Sequence, residues 1–162
     1  MEDKTMTSEE SFARYEAIKA EEYPDREKER EEWKAAFGDA KRRQEISKRY
    51  SAWRDDKERR ENEALKALVP RVGLPCTVYF YTDRHAATVT RIISPCKVAV
   101  RDNQVECIDY HAGRYKILPE LEGGEYIFTK RSNGKWIMEG HHSKDGVRLL
   151  LHYQSHYIDP EF

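Results

Sequence analysis

The sequence predicts an α+β protein: a charged α-helical arm over residues 1–70, followed by a small antiparallel β-barrel or sandwich over residues 71–162, with an SH3-like barrel among the folds of that size. Three observations predict it. Hydrophobic residues make up 38% and charged residues 36% of the 162-residue chain, against a globular norm of roughly 45–50% and about 25%, so one part must be unusually polar. Residues 39–68 contain neither glycine nor proline and are rich in Lys, Arg, Glu and Ala, all good helix formers. Beyond Val69-Pro70-Arg71-Val72-Gly73, β-branched and aromatic residues alternate and turn residues recur at short intervals.

Taken in order, Thr7-Ser8-Glu9-Glu10 has the spacing of a capping box, Thr7 accepting an amide three residues on while Glu10 reaches back. A first helix is expected over residues 8–22, with Phe12, Tyr15 and Ile18 as a narrow apolar stripe. Tyr23-Pro24 interrupts it, because a residue before proline is pushed out of the α region. A second helix is expected over residues 25–37, with Pro24 suiting its first turn, Trp33, Ala36 and Phe37 as its apolar patch and Gly38 as its cap. The third spans residues 39–68, anchored by Ile46, Tyr50 and Trp53 and then by Leu65 and Leu68. Its charged middle has little to bury and relies on pairs such as Glu58 with Asn62 and Arg59 with Glu63, each worth ~0.2–0.5 kcal/mol. The arm is therefore expected to be exposed to solvent or completed by another molecule.

In the second part the strand expectations are residues 76–81, 86–93, 97–101, 104–110 and 147–153, with 114–118 continuing or crossing over, two strands within 126–139 flanking Asn133-Gly134, and a short closing piece at Tyr157-Ile158. Thr82-Asp83-Arg84, Ser94-Pro95 and Asp102-Asn103 read as turns. Val98 and Val100 face inward, Lys97, Ala99 and Arg101 outward. Asn133-Gly134 is the strongest local signal, because a tight hairpin needs two residues of positive φ.

Charge is partitioned along the chain. Residues 1–36 carry 7 Lys/Arg against 12 Asp/Glu, residues 37–72 carry 11 against 7, and residues 73–162 carry 11 against 11. The near-neutral total lacks the global field of a dedicated non-specific DNA binder. No apolar run approaches the ~20 residues that span a bilayer, and Met1-Glu2-Asp3-Lys4 has neither the basic nor the apolar region of a signal peptide. The expectation is a cytoplasmic protein without membrane contact. Cys76, Cys96 and Cys107 are an odd number at irregular spacing, which reads as reduced, buried thiols rather than a disulfide framework.

Few chemical motifs stand out. All six histidines, His85, His111, His141, His142, His152 and His156, lie in the second part with the cysteines, but no Cys-x-x-Cys pair exists and the spacing does not make a zinc site. Asp83-Arg84-His85 offers an acid, a cation and a base in consecutive positions, which rarely converge on one substrate atom and read as a turn. Cys107, Asp109 and His111 alternate along a strand without an oxyanion site. Gly123-Gly124 matches neither phosphate-binding pattern. The reading is non-enzymatic, with no metal and no cofactor.

Two surfaces are candidates for binding. Trp33, Phe37, Tyr50 and Trp53, with Arg42, Arg43 and Arg49, place the residue types that anchor protein interfaces on an otherwise polar arm; the bland alternative is that the rings pack the helices together. Such a surface implies a protein or ribonucleoprotein partner, and a second copy of the chain is also admitted. The alternative is a barrel that stacks RNA or single-stranded DNA on Trp136 with Lys130, Arg131 and Arg84 around it.

Residues 72–162, through Tyr81-Thr82-Asp83-Arg84-His85-Ala86-Ala87-Thr88-Val89, Phe128-Thr129-Lys130-Arg131-Ser132-Asn133-Gly134-Lys135-Trp136 and Tyr157-Ile158-Asp159-Pro160-Glu161-Phe162, resemble small uncharacterised bacteriophage and prophage proteins. The arm lies outside the resemblance, and no functional residue carries over from it. What the resemblance implies is context: a phage accessory protein acting in the host bacterial cytoplasm, in a class rich in inhibitors of host defence such as anti-CRISPR proteins.

Overall fold

The structure, a computed structural model, describes residues 6–161; the opening Met1–Lys4 stretch and Phe162 lie outside the described residues. Three helices precede six strands: α1 (Ser8–Lys19), α2 (Arg26–Ala35), α3 (Ala40–Lys66), β1 (Pro75–Tyr79), β2 (Arg84–Ser94), β3 (Lys97–Asp109), β4 (Arg114–Lys130), β5 (Trp136–Met138) and β6 (Arg148–Leu151). No helix among the described residues is long and apolar enough to cross a membrane.

The capping box forms as the sequence requires. Thr7 Oγ1 accepts the Glu10 N–H at 3.1 Å and the Glu10 carboxylate accepts the Thr7 N–H at 2.8 Å. α1 stops at Lys19, short of the expected residue 22. The physical reason lies on α3, where Lys57 Nζ donates to the carbonyls of Lys19 at 2.9 Å and Glu21 at 2.8 Å and so satisfies the chain end from outside. α2 begins at Arg26 rather than at residue 25, and Gly38, at φ +83°, turns the chain after it.

α3 starts where Asp39 accepts the Arg42 N–H at 3.0 Å. Its 27 residues extend about 40 Å at 1.5 Å per residue. The expected Arg59–Glu63 pair is present at 2.7 Å. Glu58 pairs instead with Lys135 at 3.2 Å, across to the sheet. Arg60 forks onto both carboxylate oxygens of Glu21, at 2.8 and 2.7 Å, and so ties α3 to the segment after α1.

The strands pair antiparallel throughout, in the order β1 to β6, and the pairing returns from β6 to β1. Two expectations are corrected. Asp102-Asn103 is not a turn, because β3 runs unbroken through it; register shifts around Asp102 and Val105 bend the strand without ending it. Asn103, almost fully buried, accepts from Thr88 Oγ1 at 2.8 Å and Gln154 Nε2 at 3.0 Å and donates to the Leu118 carbonyl at 2.8 Å. Its polarity therefore serves the interior. β4 is likewise continuous from Arg114 to Lys130, accommodating Pro119 where the pairing jumps from Val105↔Ile117 to Asn103↔Leu121.

Asn133-Gly134 does turn the chain, but only Gly134 has positive φ, +85°. Gly134 N–H donates to Arg131 O at 2.9 Å and Arg131 N–H to Lys135 O at 2.8 Å, a three-residue loop closed by a left-handed glycine instead of the expected two-residue turn. Ala99 is fully buried, so Val98, Ala99 and Val100 all lie inside. Of the cysteines only Cys76 is buried, with its thiol pushed up by desolvation; Cys96 and Cys107 are exposed.

Val78, Val89, Val98, Val100, Phe128, Trp136 and Leu151 form one hydrophobic core, and Leu65 and Leu68 from the end of α3 belong to it. Phe12 and Tyr15 of α1 pack against the same cluster. The root of the arm is thus part of the core of the β part. Ser8 Oγ seals the junction, accepting the Val69 N–H at 3.0 Å and lying 2.6 Å from His152 Nε2. Farther out, Ile18, Ala36 and Ile46 are buried where α1 and α2 lie against α3.

Candidate partner-binding surface

The outer end of the arm is built by the α2–α3 hairpin. Because Phe37 directly precedes Gly38, its ring projects from the turn and is 86% exposed. One helical turn earlier stands Trp33, 38% exposed. Arg43 of α3 crosses to both, its guanidinium carbon 5.3 Å from the Trp33 ring centre and 5.4 Å from that of Phe37. Such stacking is worth ~0.5–1 kcal/mol at exposed sites, a bias toward this arrangement smaller than the rotamer freedom of the arginine it holds. Arg42 lies beside them, exposed, its main-chain N–H held by Asp39.

Tyr50, Trp53 and Arg49 belong to a different neighbourhood. Tyr50 and Trp53 meet Tyr23, the Tyr23–Tyr50 and Tyr23–Trp53 ring centres each 5.3 Å apart and Tyr50–Trp53 6.1 Å. Rings this close are in mutual contact, so the cluster clasps α3 to the segment after α1 while its outer side stays open, Tyr50 remaining 42% exposed. Lys57 sits 5.3 Å over the Trp53 ring while its Nζ caps α1. Arg49 is engaged with Glu32 of α2, whose carboxylate it holds below the usual range. Of the seven arm residues singled out by sequence, then, the structure brings Trp33, Phe37 and Arg43 together, leaves Arg42 exposed next to Arg43 on α3, and ties Tyr50, Trp53 and Arg49 to partners within the arm.

Sequence reasoning missed Tyr23. In the sequence it reads only as the residue before Pro24, whereas it is the centre of the aromatic clasp, and its phenol is pushed up chiefly by desolvation and secondly by the Glu29 carboxylate. The signal available was an aromatic pair at i and i+3, Tyr50 and Trp53, which needs a third ring from elsewhere to cover it. An open cleft of about 1090 Å³ runs alongside, lined by the clasp and Trp33 and edged by Glu21, Glu22, Glu27 and Glu29.

The nucleic-acid alternative is not assembled. Trp136 is 2% exposed and packed in the core, so it cannot stack a base; alternation in a short strand does not reveal which face is covered by a helix from seventy residues upstream. Lys130 Nζ donates to the Lys66 carbonyl at 2.6 Å, and desolvation lowers its affinity for a proton. Arg131 donates to the His141 carbonyl at 3.0 Å, and Arg84 lies 5.2 Å over the Tyr157 ring. Each cation is spent on the protein's own chain.

The reactive side chains also separate. Asp83 Oδ1 accepts the Asp159 N–H at 2.9 Å, while His85 Nδ1 lies 3.0 Å from Asp102 Oδ2, a partner from β3. Asp109 accepts the Ala112 N–H at 3.0 Å in the β3–β4 turn. Among the described residues no three His, Cys, Asp or Glu side chains come together in a group able to hold a metal ion. Compared with protein-family models, curated proteins and solved structures, the chain gives no match.

Proposed function

We propose that the protein acts by binding, without catalysis, and that it takes a protein partner onto the Trp33–Phe37–Arg43 patch at the outer end of the arm. The observation that carries this reading is the Phe37 ring, 86% exposed, with the Arg43 guanidinium over both it and Trp33. Leaving a phenylalanine in water forgoes roughly 1.5–3 kcal/mol of burial, which a complementary pocket recovers. Lys41 and Arg42 beside it favour a partner surface with an apolar pocket and an acidic rim.

In this reading the ring of strands serves as a small barrel that carries the arm. The partner class, a bacterial defence complex met in the host cytoplasm, rests on the phage-protein resemblance of residues 72–162 alone. The test is capture of partners from bacterial lysate with the wild-type chain and with Phe37→Ala/Arg43→Ala, both at equal folded concentration. A protein recovered in stoichiometric amount by the wild type and at least roughly tenfold less by the double variant supports the patch. Equal recovery by both, or none by either, contradicts it.

A further inference from the structure

Where α1 and α3 meet the sheet they leave a cavity of about 210 Å³. Its deep wall is apolar, made by Leu65 of α3, Leu68 just beyond that helix, Leu149 of β6 and the indole of Trp136. In that wall the Trp136 Nε1 is buried and has no hydrogen-bond partner. A buried, unsatisfied N–H costs ~1–3 kcal/mol; the nitrogen itself is closed to the cavity, so Trp136 contributes to it as apolar wall. The phenols of Tyr15 and Tyr79 also line the cavity, each pushed up chiefly by desolvation, with the charge of Arg148 acting in the opposite direction on both.

Cations dominate the rim. Lys19, Lys135 and Arg148 stand there against a single carboxylate, Glu61. Lys135 is paired to Glu58. Arg148, by contrast, faces Tyr79 directly across the β1–β6 pairing and is exposed at the cavity mouth. An apolar wall with a few converging donors, at a junction between two parts of a fold, is the usual make-up of a small-molecule site. The volume lies below the ~300–1,000 Å³ of drug-sized pockets and restricts the occupant to one or two rings.

We propose that this cavity binds a small aromatic carboxylate, its ring against Leu65, Leu149 and Trp136 and its carboxylate toward Arg148. The pairing is charge-assisted and bidentate in kind, the interaction for which a guanidinium is suited. A ligand held this way touches α1, α3 and the β1, β5 and β6 strands together. It is independent of the outer patch, since none of Trp33, Phe37 and Arg43 lines this cavity.

The experiment is a titration of the full chain with 1-naphthoate, following the three indole N–H resonances by NMR after assigning them with Trp→Phe variants. The expected result is a saturable displacement of the Trp136 resonance with those of Trp33 and Trp53 unmoved. The neutral analogue 1-naphthylmethanol should bind at least roughly tenfold more weakly, and Arg148→Gln should weaken 1-naphthoate by a similar factor while leaving the melting temperature of the free protein unchanged. The proposal is overturned by an unmoved Trp136 resonance, by equal binding of the alcohol, or by an affinity that does not change in Arg148→Gln.

Discussion

Lys130, at the end of β4, donates its ammonium to the main-chain carbonyl of Lys66, the last residue of α3, at 2.6 Å. One of the carbonyls that every helix leaves open at its C-terminus is thus closed by a strand 64 positions later in the chain. The arm is fastened to the sheet at its root by main-chain chemistry as well as by Leu65 and Leu68.

Replacing Lys130 with Met keeps the aliphatic stem and removes the donor. The net worth of such a bond in a half-exposed place is roughly 1 kcal/mol. Urea denaturation of Lys130→Met should show a lower midpoint with an unchanged slope; an unchanged midpoint would mean the bond contributes nothing.

Gly134 is a sharper test of the same junction. It has φ +85°, and a Cβ there would stand 2.7 Å from the Lys66 amide nitrogen and 3.0 Å from the Asn62 carbonyl oxygen, both main-chain atoms of α3 that cannot swing aside. Left-handed strain alone costs a non-glycine residue ~1–2 kcal/mol. Gly134→Ala should therefore destabilise by more than that, and α3 should become the first site of proteolytic cleavage. Wild-type cleavage kinetics in Gly134→Ala would show that the turn and helix do not touch.

Trp136→Ala should cost ~3–5 kcal/mol, the range for emptying a buried aromatic site. Thermal unfolding measures this directly. A loss below about 1 kcal/mol would return Trp136 to the surface and revive the base-stacking role that its burial argues against.

Acid should weaken the fold through two histidines. Desolvation is the largest cause holding His152 and His156 below their ordinary 6.5, with Glu9 opposing it and Arg71 adding to it at His152. The unfolded chain then takes up protons before the folded one, so stability is lost as pH falls from about 7 through 6.5 to the lowered folded values and levels off below them. His152 also has φ +68°, which asparagine tolerates. His152→Asn should lower the neutral-pH melting temperature, since the contacts with Ser8 and Phe12 are given up, but lose less on going from pH 7 to 5.5; an identical drop between the two pH values would count against the assignment.

Elements whose reasons are local were legible in the sequence: the Thr7–Glu10 capping box, Gly38 after the second helix, the break at Ser94-Pro95 and the turn at Asn133-Gly134. Those decided by distant partners were not. Asp102-Asn103 reads as a turn until Gln154, 51 positions away, is seen to bond Asn103 inside the protein. Trp136 reads equally as a base-stacking ring or as barrel core until Leu65 and Leu68 join it in one cluster. At the candidate patch, Phe37 and Trp33 could be picked out by type, but their union with Arg43 depends on the hairpin that folds α3 back beside α2. Tyr50 and Trp53 carry the same signal and pair with Tyr23 within the arm, Tyr50 still exposed on its outer side.

Hydrogen exchange followed by mass spectrometry bears most directly on the arm as a limb rooted in the core and free at its end. Amides of residues 60–68 should exchange as slowly as those of β1 and β6, and amides of residues 26–46 markedly faster. Uniformly fast exchange along the whole of α3, with protected strands, would contradict that architecture.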